Sequence, residues 1–109
     1  MKQPETKLKE KVLADLKSLG DICWGIKTNE RSRRGVPDIL CCIRGGFFAF
    51  ELKSSSGHVD RLQEITLSKI KKAGGVAVAV YPDTWDDLFQ AIKEQCGRRI
   101  EGGHRLDLM

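Results

Sequence analysis

Apolar residues recur at Leu8, Val12, Leu13, Leu16 and Leu19, the three-to-four spacing of one face of an amphipathic helix, and predict a helix over residues 4–19. Pro4 suits its first turn and Gly20 its stop. The pattern then shortens. Cys23, Trp24 and Ile26 make residues 22–28 read as a strand. A polar, basic stretch over 29–35 follows as a loop. Two runs apolar on both faces come next, Ile39-Leu40-Cys41-Cys42-Ile43 and Phe47-Phe48-Ala49-Phe50, joined at Gly45-Gly46 as a two-residue hairpin turn. Strands of that kind lie inside a sheet covered on both sides. Residues 54–57 read as a flexible polar loop. Helical spacing returns at Leu62, Ile65, Thr66 and Ile70, predicting a helix over 59–73 that Gly74-Gly75 ends. Residues 76–81 read as a buried strand. Pro82-Asp83 turns the chain, Thr84 is a candidate N-cap, and Trp85, Leu88, Phe89 and Ile92 form the stripe of a third helix to residue 95. From Gly97 onward no period is visible, which reads as a loosely packed tail.

The element order, α-β-β-β-α-β-α, predicts an α/β fold with a mixed central sheet and helices on both faces. One domain is expected over 1–97, with a C-terminal tail over 98–109. The sequence has 109 residues, 40% hydrophobic and 31% charged, the balance of a globular chain with a single modest core. No apolar run approaches bilayer length, and the N-terminus leads into no signal-peptide core, so a cytoplasmic location with no membrane partner is expected. The four cysteines, Cys23, Cys41, Cys42 and Cys96, form no CxxC pair. Their spacing suits neither zinc nor a disulfide framework and reads as small buried hydrophobes in a reducing compartment.

The net charge of +4 favours an anionic partner, and the excess is uneven. Residues 1–34 hold nine Lys or Arg against five Asp or Glu, whereas residues 35–97 hold seven against eight. Arg31, Arg33 and Arg34 lie just ahead of the apolar hairpin. In Gly35-Val36-Pro37-Asp38, Pro37 holds the chain extended as it enters the first hairpin strand. The second strand ends in Glu51-Leu52-Lys53. An antiparallel hairpin brings Asp38 and Glu51 to the same end. Two carboxylates and a lysine then converge on one rim, a seat for a divalent cation and a water. Taken singly, Asp38 reads as an Asx turn after Pro37, and Glu51 and Lys53 as a solvated strand end, while Gln63 is equally an exposed helical residue.

Glu5, Gly35-Val36-Pro37-Asp38, Glu51-Leu52-Lys53 and Gln63, in that order and on those elements, resemble the VRR-NUC branch of the PD-(D/E)XK nuclease superfamily. The likeness runs from Glu5 to Tyr81 and is greatest to the small standalone phage and bacterial members. It implies a restriction-endonuclease-like core and a Mg2+- or Mn2+-dependent DNA endonuclease, with Holliday-junction or flap DNA as candidate substrates. It implies Asp38, Glu51 and the main-chain carbonyl of Leu52 as metal ligands. Lys53 would orient the attacking water, Gln63 would hold Lys53 or that water, and Glu5 would support the metal site. Glu10, about a turn and a half further along the same helix, would face elsewhere. Lys27, Arg31, Arg33, Arg34, Ser54 and His58 flank the predicted rim and would contact phosphates. The resemblance also implies a homodimer. The Val-Arg-Arg string of some members is absent from this sequence. A DNA-binding module that does not cut is the alternative, and a cysteine-based metal or redox protein a more distant one.

Overall fold

The computed structural model describes residues 4–28 and 35–102, with side chains placed for 6–28 and 35–95. Helix α1 (Pro4–Lys17) leads through a 3-10 turn (Gly20–Ile22) into β1 (Cys23–Lys27). Then come β2 (Ile39–Ile43), β3 (Gly46–Leu52), α2 (Arg61–Lys72), β4 (Val76–Val80) and α3 (Trp85–Gly102). The sheet runs β1-β2-β3-β4 in space. The first three strands are antiparallel neighbours, and β4 returns parallel to β3 after the α2 crossover. The mixed sheet and the element order are those predicted.

Two apolar clusters sit on the two faces of the sheet. Leu8, Val12 and Leu16 of α1 and Trp85, Phe89 and Ile92 of α3 pack on Ile39, Ile43, Phe50, Leu52 and Val80. Trp85 is fully buried, meets the Phe50 ring edge-on at 5.4 Å and stacks on Phe89 at 5.3 Å. Its indole Nε1 donates to Asp15 Oδ2 at 2.7 Å. A buried indole N–H needs such an acceptor, and this bond ties α3 to α1. On the opposite face the cluster is small: Leu67 on Ala49 and Ala77, with Leu40, Val59 and Ile70 around it.

That small cluster overturns part of the predicted face of α2, keeping Ile70 inward and turning Leu62 and Ile65 out. Leu62 and Ile65 are 41% and 40% exposed, and Leu67 is the buried residue. The alanines of β3 and β4 leave room for one leucine, and Gln63, Leu67 and Ile70 share a stripe at helical spacing. The rotation that seats Leu67 therefore turns Gln63 toward the sheet. Strand β4 is an edge strand, with Val76 44% exposed, rather than buried along its length. On β1 and β2 the α2 face is only partly covered. Trp24 pairs with Cys42 and Cys42 with Phe47 across the ladder, and Trp24 is 69% and Phe47 45% exposed. Cys42 is also exposed, against the expectation of a buried cysteine, whereas Cys41 on the opposite face is buried.

Helix α3 runs past residue 95 to Gly102, so Gly97 lies inside it and the expected tail begins as helix. A helical glycine costs about 1 kcal/mol against alanine, which the helix formers Arg98, Arg99 and Glu101 tolerate. Residues 103–109 of the expected tail lie outside the described residues. Thr84 turns back rather than forward: its hydroxyl accepts from the Tyr81 N–H at 3.0 Å and donates to the Tyr81 carbonyl at 3.2 Å. Among the described residues no helix is long and apolar enough to cross a membrane.

The hairpin turn is Arg44-Gly45, one residue earlier than predicted, because Ile43 pairs with Gly46. Arg44 has φ 50° and Gly45 φ 85°, the left-handed pair of the tight turn that matches strand twist. Gly35 also has positive φ, 84°, and a methyl there would lie 2.9 Å from Leu62 Cγ and from Thr66 Oγ1. Glycine at 35 thus lets the chain cross α2 on its way to Pro37. Arginine is strained in the left-handed region, which asparagine tolerates. Arg44→Asn should raise unfolding stability by up to about 1 kcal/mol in urea titration; no gain would show that Arg44 carries no such strain.

Candidate active site

The β2–β3 ladder pairs Leu40 with Ala49 and Ile39 with Phe50, and one step further Asp38 stands opposite Glu51. Opposed residues in an antiparallel pair share a face. Lys53, two residues after Glu51, shares that face too. The predicted Asp38, Glu51 and Lys53 are thus brought together, on the α2 side of the sheet.

Backbone contacts hold Asp38 in place. Its Oδ2 accepts from the Leu52 N–H at 2.8 Å, and its carbonyl accepts from the Thr28 N–H at 2.8 Å. The Thr28 hydroxyl donates to the Pro37 carbonyl at 2.8 Å. Thr28 is a structural support that sequence reasoning missed, since a contact between residues nine and ten apart leaves no local trace. Leu52 reaches Asp38 through its amide, and its side chain is fully buried in the core.

Glu51 is the only buried charged residue among the described ones, at 3% exposure. Its Oε2 accepts from Gln63 Nε2 at 2.7 Å and lies 3.5 Å from Lys53 Nζ. Gln63 therefore holds Glu51, where Lys53 or a water was expected. Burial first, and the neighbouring Asp38 charge second, push the Glu51 carboxyl up to about 7, against the opposing pull of Lys53. The Lys53 stem is itself packed: a methyl on Gly57 would meet Lys53 Cβ at 3.3 Å. The Gly57 N–H donates to the Ser54 carbonyl at 2.9 Å, so the stretch expected as a loose loop is a closed turn.

The other predicted residues fall into three groups. Ser54 is half-buried and follows Lys53 directly, and His58 is exposed at the end of the turn that follows. Lys27 pairs with Ile39, so it projects from the α1/α3 face of the edge strand, opposite to the carboxylates. Arg31, Arg33 and Arg34 lie outside the described residues, as does the Glu5 side chain, although Glu5 is within α1. Glu10 is exposed on α1. Among the cysteines, Cys41 is held as a thiol, pushed up to about 12 by burial and then by neighbouring Cys23.

Glu51 Oε1 is buried and has no hydrogen-bond partner. Leaving a buried carboxylate oxygen bare is costly, and Asp38 adds repulsion. A hard cation would satisfy both, because it takes oxygen ligands. Among the described residues no group of three or more His, Cys, Asp or Glu could hold a metal. Two carboxylates are the sparse kind of donor set that magnesium accepts while keeping waters and substrate oxygens. Softer metals, which prefer thiolate and imidazole, do not fit it.

Because the Glu51 carboxyl is raised from its ordinary 4.5, the folded protein grips this proton more tightly than the unfolded chain does. At pH values below 4.5 both states hold it, so nothing is lost. Between 4.5 and about 7 the unfolded chain releases it first, stability falls through that window, and the whole penalty stands above it. In chelator, Glu51→Gln should melt at a higher temperature than the native chain at alkaline pH and lose the advantage in acid. Parallel melting curves across that range would show that Glu51 ionisation does not strain the fold.

No protein-family model matches the chain, and no curated protein matches it. Among solved structures, the chain is similar to a "VRR_NUC domain" with a TM-score of 0.65. The superposition covers 92% of this chain and 97% of that one at 22% sequence identity. The likeness extends over nearly the whole of both chains, and the chain has the fold of a VRR_NUC domain.

Proposed function

We propose that the chain is a divalent-metal-dependent DNA endonuclease of the PD-(D/E)XK type. The observation that carries this reading is the buried, unpartnered Oε1 of Glu51, on a carboxylate that neighbours Asp38 and Lys53. The VRR_NUC fold and the net charge of +4 support it. Asp38, Glu51 and the Leu52 carbonyl would hold Mg2+ or Mn2+, which when bound acidifies a water and offsets charge on the scissile phosphate.

The chain's own groups do the rest. Asp38 is fixed by the Leu52 amide, so its second oxygen stays available. Lys53, 16% exposed, presents its ammonium beside Glu51, where it orients the attacking water and stabilises the pentavalent phosphate. Gln63 keeps Glu51 from turning away. Glu5, at the start of α1, supports the site, and Arg31, Arg33, Arg34, Ser54 and His58 supply phosphate contacts, whereas Lys27, on the opposite face, does not. Junction or flap DNA is the proposed substrate, and a homodimer in the cytoplasm the proposed working form. Its support is the exposed Trp24–Cys42–Phe47 row, an apolar strip that a second copy would cover.

The test is cleavage of nicked, flapped, four-way and plain duplex DNA with Mg2+, Mn2+ or chelator. Asp38→Ala and Glu51→Ala should abolish cleavage in folded protein. Lys53→Ala should keep Mn2+ binding and lose about 10²–10³ in rate. Any of the three cutting at the native rate refutes the site, and metal-independent binding with no cleavage makes the chain a DNA-binding module. In sedimentation, Trp24→Glu should convert a dimer to a monomer. A native chain that already sediments as a monomer removes the dimer.

A further inference from the structure

Asp60 touches neither carboxylate of the site, yet its main chain bears on how the site is presented. It is the N-cap of α2: its Oδ1 accepts from the Gln63 N–H at 2.8 Å, and its own N–H donates to Gln63 Oε1 at 3.0 Å. This reciprocal pair is a capping box, ordinarily a device for starting a helix. Here its second half has another effect. A main-chain N–H can only donate, so the amide atom facing Asp60 must be the oxygen. The NH2 end of Gln63 is thereby forced toward Glu51, where it donates to Oε2 at 2.7 Å.

With Lys53 Nζ 3.5 Å from the same oxygen, Oε2 has donors on two sides. Oε1 is left as the buried oxygen without a partner. Were the Gln63 amide free to turn, its oxygen would face a carboxylate and repel it, and Glu51 would lose the anchor that fixes which oxygen is open. Side chains that orient a ligand without touching the ion commonly govern affinity by 10–100-fold.

We propose that the main-chain N–H of Asp60 positions Glu51, acting through Gln63, so that the first turn of α2 selects Oε1 as the oxygen offered to a divalent cation. This rests on the reading of Asp38 and Glu51 as a cation site. The orienting group is a main-chain N–H on an exposed residue, so the effect belongs to geometry and not to the Asp60 charge.

The experiment is Mn2+ titration of the full chain without DNA, followed by the electron paramagnetic resonance signal of free Mn2+, with circular dichroism to confirm folding. Asp60→Pro removes that N–H at a φ of −81° that proline tolerates, and should weaken Mn2+ binding by about tenfold or more. Asp60→Ser, which keeps both the N–H and an N-cap acceptor, should bind within about twofold of the native chain. Gln63→Glu preserves the capping box but replaces the donor facing Glu51 with an acceptor. It should bind as weakly as Asp60→Pro while melting near the native temperature. It also carries the test if Asp60→Pro does not fold. Native affinity in Asp60→Pro or in Gln63→Glu overturns the positioning role while leaving the cation site standing. A native chain that binds no Mn2+ overturns the cation site itself, and the positioning role with it.

Discussion

The bond from the Leu52 amide to Asp38 Oδ2 closes the open end of the β2–β3 hairpin, and the site depends on it. Two strands that splay at their ends would separate the two acids. With the bond in place, the acid entering β2 is fixed against the strand that carries the other. The turn at the far end does the complementary work. Had the two-residue loop been Gly45-Gly46, the ladder would have slipped by two positions and Asp38 would face Lys53 in place of Glu51. Side-chain faces survive a slip of two, so the core would barely register the difference. A left-handed Arg44 at one end and an amide–carboxylate bond at the other therefore set the chemistry.

This arrangement works against stability. A carboxyl 3% exposed, beside a second acid, is what a fold optimised for cohesion would avoid. The large cluster beneath α1 and α3 offsets that cost from the other side of the sheet, where Phe50 and Leu52 alternate with Glu51 along one strand. One strand thus supplies both the most deeply packed residues and the least comfortable one. The α2 face stays thin, with two alanines and one leucine at its heart, so that Gln63 can come close to the sheet.

Much of this was legible in the sequence because it is local. The strands with their apolar runs, the α1 stripe and the Pro37-Asp38 entry were each carried by residues near one another. The convergence of Asp38, Glu51 and Lys53 at one rim followed from a hairpin alone, although which acid faces which residue depends on the turn. What was not legible depends on contacts between distant elements. Leu62 and Ile65 have the right spacing for a buried face, and only the small size of Ala49 and Ala77 selects Leu67 instead. The end of α3 lies beyond Gly97 because one helical glycine costs less than the helix formers after it supply. The partner of Gln63 and the role of Thr28 had no signature at all, since each is defined by a residue brought near by folding.

The two tryptophans occupy opposite extremes of environment: Trp85 is sealed among rings with its N–H bound to Asp15, and Trp24 stands in solvent on the edge strand. The chain thus contains two native optical probes. An aqueous quencher reaches Trp24 and leaves Trp85 dark to it, so emission that resists quenching reports the joint between α1 and α3. Emission that is quenched reports whatever comes to lie on β1.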